Sequence, residues 1–189
     1  MARSTFLSFS PPALTEQEFQ AVLEVLKAGW LSSGPTTKEF EKAFQQTVGA
    51  QAALALNSAT AGLHLAMLVH GIGEGDEVIT TPLTFCATAN VVEHVGGTVR
   101  LADIDSETLL IDPSEVEKAI TAKTKLITPV HYAGQPCDME RINALAKARG
   151  VGVVEDAAHC MPSKIGEKWV GDTDNLTLFS FYATKNMTT

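Results

Sequence analysis

At 189 residues, 45% of them hydrophobic and 19% charged, the chain is long enough to bury a core, and its composition is not that of a disordered segment. Its formal net charge of -8 opposes a general affinity for nucleic acid or an anionic membrane, so any phosphate it recognises must be met locally. Cys86, Cys137 and Cys160 are too far apart for a disulfide framework or zinc cluster, no run reaches signal-peptide or membrane-span length, and a soluble cytoplasmic protein is expected.

Thr15-Glu16-Gln17-Glu18 is a capping-box pattern, followed at helical spacing by Phe19, Val22, Leu23, Val25 and Leu26 and stopped by Gly29. Trp30-Leu31-Ser32-Ser33-Gly34-Pro35 reads as a loop, and Thr36-Thr37-Lys38-Glu39 opens a second amphipathic helix carrying Phe40, Ala43, Phe44 and Val48. From residue 51 onward, short apolar runs alternate with longer helical stretches, which predicts an α/β domain with a mostly parallel sheet. Strands are expected over 52–56, 77–80, 98–103, 125–130, 151–154 and 176–180. Helices are expected over 59–69, from a Thr84 cap to residue 95, from Asp112-Pro113-Ser114-Glu115, and from Asp138 to Arg149 with Gly150 as the stop. Residues 157–175 lack periodicity and are candidates for loops that line a site.

Four features carry chemistry. Asn57-Ser58-Ala59-Thr60 follows an expected strand and opens a helix, where backbone N–H groups and two hydroxyls favour an anion; an ordinary Ser N-cap is the competing reading. Asp156 stands at the carboxyl end of a buried strand, where a carboxylate can keep a pyridine nitrogen protonated, or simply cap a turn. His159 follows three residues later, and the remaining histidines have no ligand-like spacing, so no metal is inferred. Lys185 sits just beyond the apolar run Leu178-Phe179-Ser180-Phe181, where an amine in a partly desolvated setting can form a Schiff base with an aldehyde; taken alone, a surface lysine after a buried strand is the commoner reading. Gly71-Ile72-Gly73-Glu74-Gly75-Asp76 is not a dinucleotide loop, because it follows a helix, precedes a strand and has Asp76 where the third glycine belongs.

In this order, several stretches of the chain resemble the DegT-type nucleotide-sugar aminotransferases, which are fold type I pyridoxal-phosphate (PLP) enzymes. These are Gly29-Trp30-Leu31-Ser32-Ser33-Gly34-Pro35, Asn57-Ser58-Ala59-Thr60-Ala61-Gly62-Leu63-His64, Thr81-Pro82-Leu83-Thr84-Phe85, Pro129-Val130-His131-Tyr132-Ala133-Gly134, Glu155-Asp156-Ala157-Ala158-His159 and Ser180-Phe181-Tyr182-Ala183-Thr184-Lys185-Asn186. The resemblance implies a three-layer α/β/α fold with a mostly parallel central sheet: the large PLP-binding domain of such an enzyme, cut before its C-terminal domain. Residues 1–36 would be an N-terminal helix and substrate-side loop, and 37–189 an incomplete PLP-binding domain. Lys185 would carry the Schiff base, Asp156 would pair with the pyridine nitrogen and His159 would lie beside the ring hydroxyl. Ser58, Ala59, Thr60 and Ser180 would hold the phosphate, Phe85 would stack on the ring, and Trp30, Ser32, Ser33 and Gly34 would face the substrate.

The implied reaction moves an amino group from glutamate, leaving 2-oxoglutarate, to a keto-sugar nucleotide in amino-sugar biosynthesis. The look of residues 29–35 and 131–134 is that of the UDP-4-amino-4-deoxy-arabinose aminotransferases, which implies amination at C4. Members continue past this lysine and work as homodimers, so the isolated chain is expected to be weak or inactive and prone to associate. Two alternatives stay open. One is a PLP-dependent sugar dehydratase or ring-forming synthase on the same scaffold, although dehydratase relatives carry His where this chain has Lys185. The other is a binding or regulatory module without turnover.

Overall fold

The computed structural model describes residues 5–8 and 10–188. Residues 1–4, 9 and 189, which fall within the expected units 1–36 and 37–189, lie outside the described residues.

Helix α1 (Glu16–Ala28) forms as its caps dictate: the Thr15 hydroxyl accepts the Gln17 N–H, Glu18 completes the capping box, and Gly29 takes the left-handed conformation at the C-cap. Its apolar face stays open, with Phe19, Val22, Leu23 and Leu26 all exposed. Helix α2 (Pro35–Val48) starts from Gly34 with proline in its first turn. It presents Phe40 and Phe44 to Phe179 and Phe181, with ring centroids 5.0–5.4 Å apart in three edge-on pairs.

The remaining helices are α3 (Ala59–Val69), α4 (Ala87–His94), α5 (Pro113–Ala119) and α6 (Met139–Arg149). The strands are β1 (Glu77–Thr80), β2 (Thr98–Leu101), β3 (Thr124–Thr128), β4 (Gly152–Asp156), β5 (Lys164–Ile165), β6 (Lys168–Trp169) and β7 (Leu176–Leu178). Five of them form a sheet in the order β2-β1-β3-β4-β7, and every pairing in it is parallel. The pleat sends neighbouring residues to opposite faces. Thus Val78, Leu126 and Val154 pack with Leu63 and Met67 of α3 and Val91 and Val92 of α4. Ile79, Ile127 and Val153 pack on the other side with Val116 of α5 and Ile142 of α6. Two cores separated by one parallel sheet are the expected three-layer α/β/α arrangement. Each fully buried aliphatic side chain in them contributes roughly 1.5–3 kcal/mol.

Three expectations need correction. Residues 52–56 are not a strand: they have no ladder partner, Leu54 and Leu56 are exposed, and the Ala55 N–H donates to Glu41 Oε1 on α2 instead. Thr84 does not cap α4; its hydroxyl meets the Thr88 hydroxyl at 2.7 Å, and the helix begins after Cys86. The stretch 157–175 is not all loop, because β5 and β6 pair within it as a small antiparallel hairpin.

Candidate active site

In a parallel sheet all carboxyl ends lie on one edge, so the segments after β1, β3, β4 and β7 converge there. Asp156, the last residue of β4, is only 4% exposed. Its backbone is fixed on both sides: its N–H donates to Pro129 O at 2.9 Å, its carbonyl accepts the His131 N–H at 3.0 Å, and the Ala157 N–H donates to Leu178 O. Its side chain is fixed as well, with Oδ1 accepting the Ala158 N–H at 3.1 Å and Oδ2 accepting the Thr88 hydroxyl at 2.8 Å.

The neighbouring Glu155 points to the opposite face into a buried polar network. His131 Nδ1 accepts the Cys137 N–H at 3.0 Å, so Nε2 carries the ring proton and donates to Glu155 Oε2 at 2.9 Å. Glu155 Oε1 accepts from Asn175 Nδ2 at 2.7 Å, and that amide also donates to Asn143 Oδ1 at 3.1 Å.

Lys185 is half-buried and lines a cavity of about 240 Å³ with Ala133, His159, Thr184 and Asn186. Ala133, on the same cavity, has φ 52°, a left-handed conformation that costs a residue with a Cβ roughly 1–2 kcal/mol. Gly134 follows at φ 87°, and its carbonyl accepts the Ser163 hydroxyl at 2.7 Å, which ties this loop to the segment carrying His159. Burial holds the His159 imidazole below the usual range, the positive charge of Lys185 lowers it further, and Asp156 pulls it back upward. His159 therefore feels both Lys185 and Asp156, the two groups the sequence marks for chemistry.

A pH dependence follows. His70 is also lowered, by burial, so in both histidines the unfolded chain binds more protons than the folded one between the depressed value and the ordinary value near 6.5. That excess makes stability rise with pH through the window, so it is complete above about pH 6.5 and lost progressively below it. Urea titrations should give a lower midpoint at about pH 5.5 than at about pH 7.5, and the difference should shrink in a His70→Gln/His159→Asn double variant. A difference unchanged by those substitutions would remove the two histidines as its source.

Ser58 is the N-cap of α3, its hydroxyl accepting the Ala61 N–H at 3.0 Å, while the N–H groups of Ala59 and Thr60 belong to the first turn, which has no acceptor of its own. Gly62 packs this turn against the end of β7: a Cβ there would stand 2.6 Å from Leu178 Cδ1, so a larger residue would require the Leu178 side chain to move. Ser180 lies two residues beyond Leu178, between the two phenylalanines clamped by α2, and its hydroxyl accepts the Tyr182 N–H. Phe85 is exposed on the turn that leads to Thr88, and its carbonyl accepts the Thr88 N–H.

These groups do not all line one cavity. Ser58 and Thr60 border a separate depression of about 440 Å³ with His64 and His94, apart from the one at Lys185. Trp30, Ser32 and Ser33 are exposed, and Gly34 packs under Trp30; none of the four lines either depression. Sequence reasoning missed Thr88, and it gave Glu155 and Asn175 no role. A threonine 68 residues from its carboxylate leaves no local signal, whereas Glu155 was detectable as an acid inside an apolar strand.

The model of the DegT/DnrJ/EryC1/StrS aminotransferase family matches residues 12–189, and the chain belongs to that family. Among curated proteins, the spore coat polysaccharide biosynthesis protein SpsC of Bacillus subtilis (strain 168) is 50% identical over 187 residues, which cover 99% of this chain and 48% of SpsC. Among solved structures, the PMP form of Spr1654 from Streptococcus pneumoniae superposes with a TM-score of 0.92 at 37% identity, covering 97% of this chain and 50% of that one. The 3-amino-5-hydroxybenzoic acid synthase gives a TM-score of 0.90 at 34% identity, covering 94% and 47%. The chain spans about half the length of the curated relatives it matches. Among the described residues no helix is long and apolar enough to cross a membrane.

Proposed function

We propose that the full-length protein is a cytoplasmic, homodimeric PLP-dependent aminotransferase that transfers the amino group of glutamate to a keto-sugar nucleotide, at C4. The observation that carries this reading is the grouping of Lys185 and His159 on one cavity, with Asp156 close enough to act on the same imidazole. The donor set fits the cofactor. Lys185 offers an amine for its aldehyde, and Asp156 a carboxylate for its ring nitrogen. Ser58, Ala59, Thr60 and Ser180 offer donors for its phosphate, and Phe85 an exposed aromatic face. His159 would lie beside the ring hydroxyl. Residues 1–36, with Trp30, Ser32, Ser33 and Gly34, form the substrate side, and residues 37–189 form the cofactor domain. Support for the substrate class comes from SpsC, named for polysaccharide biosynthesis, and support for the cofactor from Spr1654, solved in PLP and PMP forms.

When bound, PLP supplies an electron sink for the bonds around the amino-bearing carbon. The chain does the rest. Asp156, whose oxygens each accept one hydrogen bond, would accept another from the protonated ring nitrogen. Lys185 Nζ would meet the cofactor's aldehyde, and its free amine would hold and move a proton at the carbon that carries the amino group. The neutral first-turn N–H groups of α3, at the positive end of the helix dipole, and its hydroxyls would donate to the phosphate.

The test is borohydride reduction of the PLP-loaded full-length protein followed by peptide mass analysis, together with product analysis from glutamate and a 4-keto-sugar nucleotide. The expected result is a reduced adduct on Lys185 and an amino-sugar nucleotide with 2-oxoglutarate. An adduct on another lysine, or none, would overturn the site. The likeness to 3-amino-5-hydroxybenzoic acid synthase favours a second reading, a ring-forming synthase, which the same product analysis separates from transamination of a sugar.

A further inference from the structure

The Asp156 carboxylate owes half of its anchoring to a residue from a different part of the chain. Thr88 stands in the first turn of α4, wholly buried, on a helix whose other inward residues, Val91 and Val92, are aliphatic. A hydroxyl at such a place costs stability unless it is bonded. Its Oγ1 lies 2.8 Å from Asp156 Oδ2, 2.7 Å from Thr84 Oγ1 and 3.1 Å from Phe85 O. Threonine has one hydroxyl proton for these three oxygens. Phe85 O already accepts the Thr88 N–H, and a bond to an ionised carboxylate is about twice as strong as one between neutral groups, so the proton goes to Asp156. Thr84 then donates to Thr88, and the two hydroxyls form a chain that ends on the carboxylate, each bond strengthening the next.

We propose that Thr88, with Thr84 behind it, is a positioning residue for Asp156, fixing the rotation of the carboxylate so that its free lone pairs can hold a protonated ring nitrogen of the cofactor. The inference rests on the reading above, in which Asp156 meets that nitrogen. A carboxylate has about four acceptor sites, of which Ala158 N–H and Thr88 take one on each oxygen. Two remain for the ligand. Without the Thr88 hydroxyl the carboxylate's plane is free to turn, so its hold on the protonated ring nitrogen weakens. The same five-residue turn also carries Phe85, so the group that would cover the ring face and the group that steadies its nitrogen partner move as one unit.

The experiment uses full-length protein loaded with PLP labelled with nitrogen-15 in the ring. It reads the NMR shift of that nitrogen and the PLP Kd from absorbance titration. Thr88→Val should move the ring signal toward the unprotonated position and raise Kd about tenfold, as expected for one lost bond to a charged group. Thr88→Ser should restore both to within about twofold of the parent, because it returns the donor. Thr84→Val, which alters a half-buried position and leaves the core packing of Thr88 intact, should shift both in the same direction by a smaller amount, about threefold in Kd. Asp156→Asn is measured in parallel. If it moves the ring signal and neither the Thr88→Val nor the Thr84→Val variant does, the positioning role is overturned while the cofactor reading stands. If Asp156→Asn itself leaves the signal and Kd unchanged, Asp156 does not meet the ring nitrogen and the inference falls with that reading.

Discussion

Lys185→Ala is expected to lower transamination of a keto-sugar nucleotide by at least about a hundred- to ten-thousand-fold, the usual worth of a positioned proton-transfer group, while leaving the fold intact. The fold should survive because Lys185 is half-buried on a loop, belongs to neither hydrophobic core and contributes a backbone N–H to Tyr182 O that alanine keeps. Its effect on the unfolding free energy should stay within about 0.5 kcal/mol, as for surface positions away from special features. Lys185→Arg separates charge from nucleophile: the guanidinium remains positive but is never neutral, so activity should be lost to the same degree. The two variants differ at His159. Lys185 is one of the two influences that lower its imidazole, so alanine should let the His159 titration midpoint rise, and arginine should hold it down. Histidine NMR titration reads this without any turnover. Retention of keto-sugar turnover to within about tenfold in the alanine variant would sink the assignment of Lys185 as the proton-transfer group.

What was legible in the sequence was the chemistry that acts over a few residues. Thr15 with Gly29, Asp112 with Pro113, and Asp138 with Gly150 mark their helices correctly, because caps are satisfied within one turn. Apolar runs located β1, β3 and β4 for a similar reason, since a strand covered by helices on both faces is rich in Val, Ile and Leu. Residues 52–56 have the same composition and are no strand, because a ladder also needs a partner and composition does not supply one. Thr84 was misread because its hydroxyl has two possible uses, a backbone N–H next door or Thr88 one turn away, and the second prevails. At the site, Asp156, His159 and Lys185 could be picked out by residue type and by their place after strands. Thr88 could not, since only the fold brings α4 against the end of β4.

The second large effect is structural and lies behind Asp156. Glu155→Ala is expected to lower stability by about 3–5 kcal/mol, the cost of stripping one partner from a buried polar pair. Glu155 is 2% exposed and receives His131 Nε2–H on one oxygen and Asn175 Nδ2–H on the other. Removing it leaves the wholly buried His131 donor unsatisfied, at roughly 1–3 kcal/mol, takes one partner from the half-buried Asn175 amide, and opens a cavity as well. His131 cannot answer by turning its ring, because Nδ1 is engaged by the Cys137 N–H. Asn175 retains Asn143, so the larger share of the loss falls on His131. Glu155→Gln is the informative companion. Its size is right, but one of its two terminal atoms is a donor facing another donor, so it should lose only about 1–3 kcal/mol, less than alanine. Urea midpoints for the two variants measure the order directly, and an alanine variant as stable as the glutamine one would mean that the network holds little energy. The consequence reaches the site through the backbone. The His131 N–H bonds Asp156 O, and Asp156 N–H bonds Pro129 O, so a loosened His131 frees the strand end on which Asp156 is carried. Alternate residues of β4 thus divide the work: Glu155, facing the core, locks the strand end in place, and Asp156, at the sheet's carboxyl edge, is held ready for its partner.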